Sequence, residues 1–314
     1  MTKVAAVDCG TNSIRLLIAE TKPGGGLIDI ERRTEIVRLG QGVDATGEFH
    51  PDALKRTFAV VDTYATLIKR AGVPRERIHF VATSATRDAG NRDKFVEGIQ
   101  QRLGVTPDVI SGDTEAQLSF TGALSRVEPE GEPVLVIDVG GGSTEFIVGS
   151  AAGRMHSAIS LDIGSVRLTE RYLKVSPPTP DDLERAAGYV DQMLDDAGVD
   201  FGSMGSWIGV AGTATQLAGV YLELAEYDRD RVHGATIPLA DVQRLLERLA
   251  GLTVEQIRAL PSMHPNRADV ITGGTLVLAR VAARLHVPDL IISESDILDG
   301  IALALIEPGG GNGG

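Results

Sequence analysis

Short apolar runs that stop at a charge or a glycine alternate with longer stretches whose apolar positions recur every three or four residues. The short runs cover residues 4–7, 14–18, 78–82, 134–137, 144–148, 207–210 and 290–293, and they read as strands. Residues 51–72 show the longer period best. Leu54, Phe58, Val61, Ala65 and Ile68 form one stripe, Pro51 sits in the first turn and Gly72 closes the helix. The pattern predicts a strand and hairpin over 3–20, a third strand ending near Leu39, a loop from Gly40 to Gly47, and a strand over 78–82. Helices over 92–103 and 112–126 flank a strand over 107–110. A second series has strands near 134–138, 144–150, 153–160, 207–210 and 290–293. Its helices fall over 164–173, 181–198, from Gly212, 239–250, 253–260, 266–285 and 297–305. Strands that meander and then alternate with helices imply a mixed sheet with helices packed on it, formed twice.

The repeat is visible in the residues themselves. Val7-Asp8-Cys9-Gly10-Thr11-Asn12-Ser13 returns 130 positions later as Ile137-Asp138-Val139-Gly140-Gly141-Gly142-Ser143. Each copy is strand, Asp-x-Gly turn, strand. Asp8 aligns with Asp138, Gly10 with Gly140 and Ser13 with Ser143. Glycine lets amides approach an anion closely, and successive N–H groups in a tight turn make an anion-binding concavity. A strand-end carboxylate suits Mg²⁺, which takes one or two carboxylates, phosphate oxygens and waters. Two such units are a means of holding a chain of phosphates and its metal. A plain hairpin with a glycine turn explains either copy alone; the pair in register is far more specific.

Polar Glu128-Pro129-Glu130-Gly131-Glu132-Pro133 reads as a linker, dividing the chain into domains 1–127 and 128–306. The last helix of the second has scope to pack back on the first, and 307–314 reads as a flexible glycine-rich tail. Of the 314 residues, 43% are hydrophobic and 4% aromatic, so the core is aliphatic. A formal charge of −13 argues against general nucleic-acid binding, which leaves a basic footprint. An anionic substrate then needs local neutralisation by metal, backbone amides and a few arginines. The one cysteine, Cys9, excludes an intrachain disulfide and suits a reducing cytoplasm; it reads as a small buried strand residue. No signal-peptide pattern opens the chain, and no apolar stretch approaches the roughly 18 residues of a membrane span. His50, His79, His156, His233, His264 and His286 show no metal-ligand spacing.

Five segments in order carry a family resemblance: Asp8-x-Gly-Thr-Asn-Ser, Ala82-Thr-Ser-Ala-Thr-Arg87, Ser111-Gly-Asp-Thr-Glu-Ala116, Asp138-x-Gly-Gly-Gly-Ser-Thr-Glu145 and Gly209-Val-Ala-Gly-Thr-Ala-Thr215. Together they resemble the exopolyphosphatase/guanosine pentaphosphate phosphohydrolase family, from Lys3 to about Ile306. That family belongs to the sugar kinase, heat-shock ATPase and actin superfamily. The resemblance implies an α/β fold of duplicated ribonuclease H-like domains, with the active site in the interdomain cleft. It implies metal-dependent hydrolysis of the terminal phosphoanhydride of inorganic polyphosphate, with Mg²⁺ or Mn²⁺ as cofactor. Polyphosphate or guanosine penta- or tetraphosphate is the implied ligand, with no nucleic acid and no membrane, and a homodimer fits the family.

The resemblance assigns Glu115 as the residue that orients or deprotonates the attacking water, with Glu145 supporting it. Asp8 and Asp138 become the metal ligands. Thr11, Asn12, Ser13, Arg87, Gly140, Gly141, Gly142, Ser143 and Thr144 become the phosphate ligands. Read locally, Glu115 could simply favour a helix N-terminus, and Arg87 could be a solvated helix-start residue. Arg15 could face cleft or solvent. Gly212-Thr-Ala-Thr215 could be only a turn, although this position borders the nucleoside pocket in the superfamily, and Arg167 has no assigned role. Longer family members carry extra C-terminal helical domains that this chain lacks, so short polyphosphates are expected. Rival readings are a guanosine pentaphosphate 5′-phosphohydrolase, a superfamily kinase or ATPase, and a catalytically weak nucleotide-binding sensor.

Overall fold

The computed structural model describes residues 1–23, 26–41 and 43–306, apart from the side chains of Asp44, Ala45 and Asp88. The expected glycine-rich tail lies outside the described residues, as does the centre of the turn at 24–25. The chain forms two compact units, Met1–Ser125 together with the chain from Ile297, and Arg126–Asp296.

The first unit is built on a five-stranded sheet. Its strands are β1 (Lys3–Cys9), β2 (Ser13–Thr21), β3 (Leu27–Ile36), β4 (Ile78–Ala82) and β5 (Asp108–Val109). They lie in the order β3-β2-β1-β4-β5. The first three pair antiparallel, whereas β4 and β5 run parallel to β1. Parallel sheets need cover on both faces, and the alternation in β1 provides it. Ala5, Val7 and Cys9 enter one core with the helices Pro51–Ala71 and Arg92–Leu103. Val4 and Ala6 enter another with Ile297, Leu298 and Ile301 of the last helix, Ile297–Ala304.

The second unit repeats the plan. Its strands are β6 (Val134–Val139), β7 (Thr144–Gly149), β8 (Met155–Leu161), β9 (Ser206–Val210), β10 (Thr236–Pro238) and β11 (Asp289–Ile292). Read from β8, the order is β8-β7-β6-β9-β11, with β10 added at the edge. Again the first three strands are antiparallel, and the next two run parallel to β6. The duplicated mixed sheet with flanking helices expected from the sequence is therefore present. β10 and the short helix Arg229–Val232 were not anticipated, because each is too brief to show a period.

Local boundaries shift where capping overrides the apolar pattern. The helix Pro51–Ala71 ends as expected, with Gly72 at φ 74° donating its amide to Ile68 and Lys69. The third strand stops at Ile36 rather than near Leu39, and the expected loop contains the short helix Val43–Thr46. Residues 84–88 form a helix of their own. The long helix expected over 266–285 begins only at Ile271 and ends at Ala282.

Two long-range contacts fix the chain ends of the units. Asp299, 0% exposed, takes a hydrogen bond at 2.7 Å from Arg32 Nη2, tying the last helix to β3. A methyl on Gly300 would lie 2.0 Å from the Leu118 carbonyl oxygen, so glycine is required where this helix crosses Gly112–Leu124. In the second unit His233 Nδ1 accepts from the Glu294 amide at 3.1 Å, and Nε2 faces the Arg126 carbonyl at 3.2 Å. An amide can only donate, so Nδ1 is the bare nitrogen and Nε2 carries the proton to Arg126 O. One neutral imidazole thus joins the first residue of the unit to a segment near its last.

Burial pushes the His233 pKa below its ordinary value. The charges of Arg126 and Arg229 act the same way, while the Arg126 carbonyl and Glu294 act against them. Above about pH 6.5 the ring is neutral both folded and unfolded. Below that only the unfolded chain takes up the proton, so stability falls as the pH drops. Denaturation from pH 8 to 5 is expected to show a shallower acid loss in His233→Gln than in the parent. Asp299→Ala removes one of the two carboxylates on Arg32, which keeps Asp29 at 3.0 Å, and is expected to cost about 1.5–3 kcal/mol in the same assay.

Candidate active site

Both glycine hairpins use the same turn. The Gly10 amide donates to Ser13 O, and the Gly140 amide to Ser143 O, each at 3.0 Å. In the first hairpin Val37 and Arg38 donate to Asn12 O, and Gly40 donates to Thr11 O. In the second, Val166 and Arg167 donate to Gly141 O, Ser165 to Gly140 O and Gly164 to Gly142 O. The loop carbonyls are satisfied from behind, and the amides of Thr11, Asn12, Gly141, Gly142 and Ser143 make no hydrogen bond among the described residues. Consecutive exposed amides of this kind form a concavity with a positive lining. Gly164 belongs to the same construction, since a Cβ there would sit 2.3 Å from Gly141 O.

Around the first hairpin the expected residues come together in a chain of contacts. Thr11 Oγ1 and Ser84 Oγ are 2.9 Å apart, which joins the turn to the helix Ser84–Asp88. Arg87, on that helix, donates through Nη1 to Ile110 O at 2.6 Å and to Glu115 Oε2 at 3.2 Å. Glu115 lies in the first turn of Gly112–Leu124, which Ser111 caps by accepting from the Thr114 amide. Asn12 makes no side-chain hydrogen bond among the described residues and is exposed. The expected phosphate-binding arginine is thus bound to the expected catalytic glutamate; Nη2 and Nε of Arg87 make no hydrogen bond among the described residues.

The strand-end carboxylates differ between the hairpins. Asp8 is directly opposite Arg15 in the β1–β2 register. Arg15 Nη2 and Nε both donate to Asp8 Oδ2, at 2.6 and 2.9 Å. Asp138 occupies the matching place in β6, and its cross-strand neighbour is Glu145. A guanidinium in one hairpin is therefore a second carboxylate in the other. Like charges placed directly across a strand pair are destabilising. A divalent cation would remove that penalty, and two carboxylates are a fitting Mg²⁺ donor set. Asp138 and Glu145 fit a metal; Asp8, its Oδ2 already engaged by a cation, fits one less well. Among the described residues no cluster of three or more His, Cys, Asp or Glu is arranged for a metal.

Glu145 is itself held by two hydroxyls. Ser143 Oγ donates to Oε1 at 2.6 Å, and Ser160 Oγ, from β8, donates to the same oxygen at 2.9 Å. The Ser143 proton is directed at Glu145, so the loop's donors to an anion are its amides. Thr144, expected among the phosphate ligands, points the other way: it is 0% exposed and its hydroxyl donates to Ile163 O at 2.9 Å. Cys9 is buried as expected. Burial, and secondarily the Asp8 charge, push its thiol well above the ordinary range.

Sequence reasoning passed over Arg15 as undecided and did not single out Ser160 or Arg267. The Arg267 guanidinium lies where a side chain on Gly212 would begin, 1.9 Å from the ideal Cβ position. Thr213 Oγ1 donates to Val139 O at 2.8 Å, so that hydroxyl locks the helix Ala211–Tyr221 to β6. Ala211 holds φ 57° at the start of this helix, a left-handed conformation that costs a non-glycine residue about 1–2 kcal/mol. The signal for Arg267 was a glycine in a helix first turn, which by itself names no partner.

Residues 17–307 match the Ppx/GppA phosphatase family. Exopolyphosphatase 2 of Mycobacterium tuberculosis (strain H37Rv) is 44% identical over 319 residues, covering 97% of this chain and 99% of that one. The crystal structure of the Aquifex aeolicus Ppx/GppA phosphatase (type II variant) aligns with a TM-score of 0.90 at 30% identity, over 98% of this chain and all of that one. A crystal structure titled exopolyphosphatase-like protein is 39% identical, with a TM-score of 0.77 over 96% and 98% of the two chains.

The buried thiol yields a direct check. Native protein at pH 8 is expected to leave Cys9 unmodified by a disulfide reagent, while unfolded protein takes up one equivalent. Fast modification of the native chain would mean that the end of β1 opens readily.

Proposed function

The chain belongs to the Ppx/GppA phosphatase family, and on that premise we propose that it removes the terminal phosphate from inorganic polyphosphate in a metal-dependent reaction. It is a hydrolase of the exopolyphosphatase type; the substrate, its length and the metal are the proposal. The observation that carries it is the pair of glycine cradles with their amides turned outward, one linked through Ser84 and Arg87 to Glu115, the other beside Asp138 and Glu145.

In this reading a water oxygen attacks the terminal phosphorus in line. The new P–O bond forms as the bridging P–O bond breaks, the water proton passes to Glu115, and the shortened chain leaves with its charge on the former bridging oxygen. Phosphoryl transfer depends chiefly on positioning and electrostatic stabilisation, which is what this chain's residues offer. The amides of Thr11, Asn12, Gly141 and Gly142 bind phosphate oxygens. Arg87 orients Glu115 through Nη1 and directs its remaining N–H groups at phosphate. Arg15 neutralises Asp8, so the first hairpin presents an anion with amides and a guanidinium rather than a bare carboxylate. Asp138 and Glu145 are the residues proposed to hold Mg²⁺ or Mn²⁺, which would offset negative charge on the phosphate oxygens. Each cradle has two or three amides without a partner among the described residues, a grip for the terminal phosphates of a chain.

Phosphate release with Mg²⁺ from short polyphosphate, long polyphosphate, guanosine pentaphosphate and ATP tests the proposal. Release from polyphosphate is expected. Glu115→Ala should lower turnover by about 10²- to 10⁴-fold with the melting temperature preserved. Near-normal turnover in that variant would remove Glu115 from the role. Release from guanosine pentaphosphate alone would move the substrate to an alarmone.

A further inference from the structure

Beside the second glycine loop lies an open groove of about 540 Å³, lined by Gly141, Gly142, Val166, Arg167, Glu170 and Arg171. We propose that this groove is a subsite for the phosphates that follow the terminal ones, with Arg167 and Arg171 as the residues that read chain length. The inference rests on the polyphosphate reading above and names what that reading lacks, a place for the rest of the chain.

Arg167 is fixed to the loop. Its Nε donates to Gly142 O at 2.7 Å, and Nη2 donates to Asp162 Oδ1 at 3.0 Å. Nη1 has no hydrogen-bond partner among the described residues. The Asp162 pair is well exposed on both sides, and pairs of that kind are weak and easily exchanged. The guanidinium therefore extends the row of donors begun by the Gly141 and Gly142 amides.

Arg171 is four residues further along Ser165–Arg171, on the same side of the helix. Its guanidinium carbon sits 4.6 Å from the Tyr189 ring centroid and 5.2 Å from that of Tyr172. No carboxylate pairs with it among the described residues. Aromatic faces restrict an arginine without consuming its N–H donors, so Arg171 is held in place with its hydrogen-bonding capacity intact. Glu170 on the wall and Asp162 beside it balance the two guanidinium charges, so what the groove offers a phosphate is the unengaged N–H donors of Arg167 and Arg171.

The lining also says what the groove does not take. It contains no aromatic side chain, and the two nearby tyrosines carry Arg171 on their faces. A purine has nothing to stack on here, whereas a run of phosphates meets amides first and then two arginines, whose planar forks suit phosphate oxygens.

Arg171→Gln keeps the stem and removes the charge; Arg171→Lys restores the charge without the fork. For Arg171→Gln, KM for a polyphosphate much longer than tripolyphosphate is expected to rise about tenfold, the effect of one lost charge-assisted contact. The kcat should stay within about twofold of the parent, KM for tripolyphosphate and guanosine pentaphosphate should be unchanged, and Arg171→Lys should recover part of the loss. An unchanged KM for the long chain, or an equal rise for every substrate, overturns the subsite. Fluorescence anisotropy of end-labelled polyphosphate, with Glu115→Ala as background, separates this failure from that of the hydrolase reading. If no substrate is hydrolysed but Arg171→Gln still weakens binding of the long chain alone, the hydrolase reading falls and the groove stands; equal binding overturns the groove.

Discussion

A tight turn has carbonyls and amides on opposite sides, and only one side can be turned to a ligand. Everything at this site follows from satisfying the carbonyls first. In the first hairpin Val37, Arg38 and Gly40 do so; in the second the amides of residues 164–167 do. Those bonds hold both turns in place and leave the amides of Thr11, Asn12, Gly141, Gly142 and Ser143 without a partner among the described residues. They also explain why glycine is needed behind the loop as well as in it, because Gly164 sits almost against Gly141.

The duplication supplied one frame with two electrostatic characters. Residues seven apart across each hairpin are direct neighbours, so the residue facing the strand-end aspartate decides what that aspartate can do. Arg15 makes Asp8 half of an ion pair, whereas the residue opposite Asp138 is a second carboxylate, Glu145. Ser143 and Ser160 furnish donors to one oxygen of Glu145. The same fold thus gives one hairpin a carboxylate paired with a guanidinium and the other two carboxylates facing across the strands.

The fold around these turns is organised to keep them stiff. Helices cover both faces of the first sheet, and the Asp299–Arg32 contact fastens a helix from the far end of the sequence to its edge strand. In the second unit one neutral histidine clasps segments at its two chain ends. Loops that carry function work best on such supports, since a small shift of an amide weakens a hydrogen bond to phosphate steeply.

The sequence by itself determined the paired Asp-x-Gly hairpins, the long capped helix after Pro51 and the meander-then-alternation order. Those depend on turn chemistry and on periods of two or 3.6, which act over a few residues. Family resemblance singled out Glu115 and Arg87 separately, and the structure shows that they pair with each other. Only the tertiary structure decided that Arg15 faces Asp8, that the Thr144 hydroxyl turns inward, that Ser160 shares Glu145 with Ser143 and that Arg267 fills the space over Gly212. Alternation gives each strand two faces without saying which is buried, and a hydroxyl's partner depends on strands and loops tens of residues away. These choices were fixed by register and close packing, which no local pattern encodes.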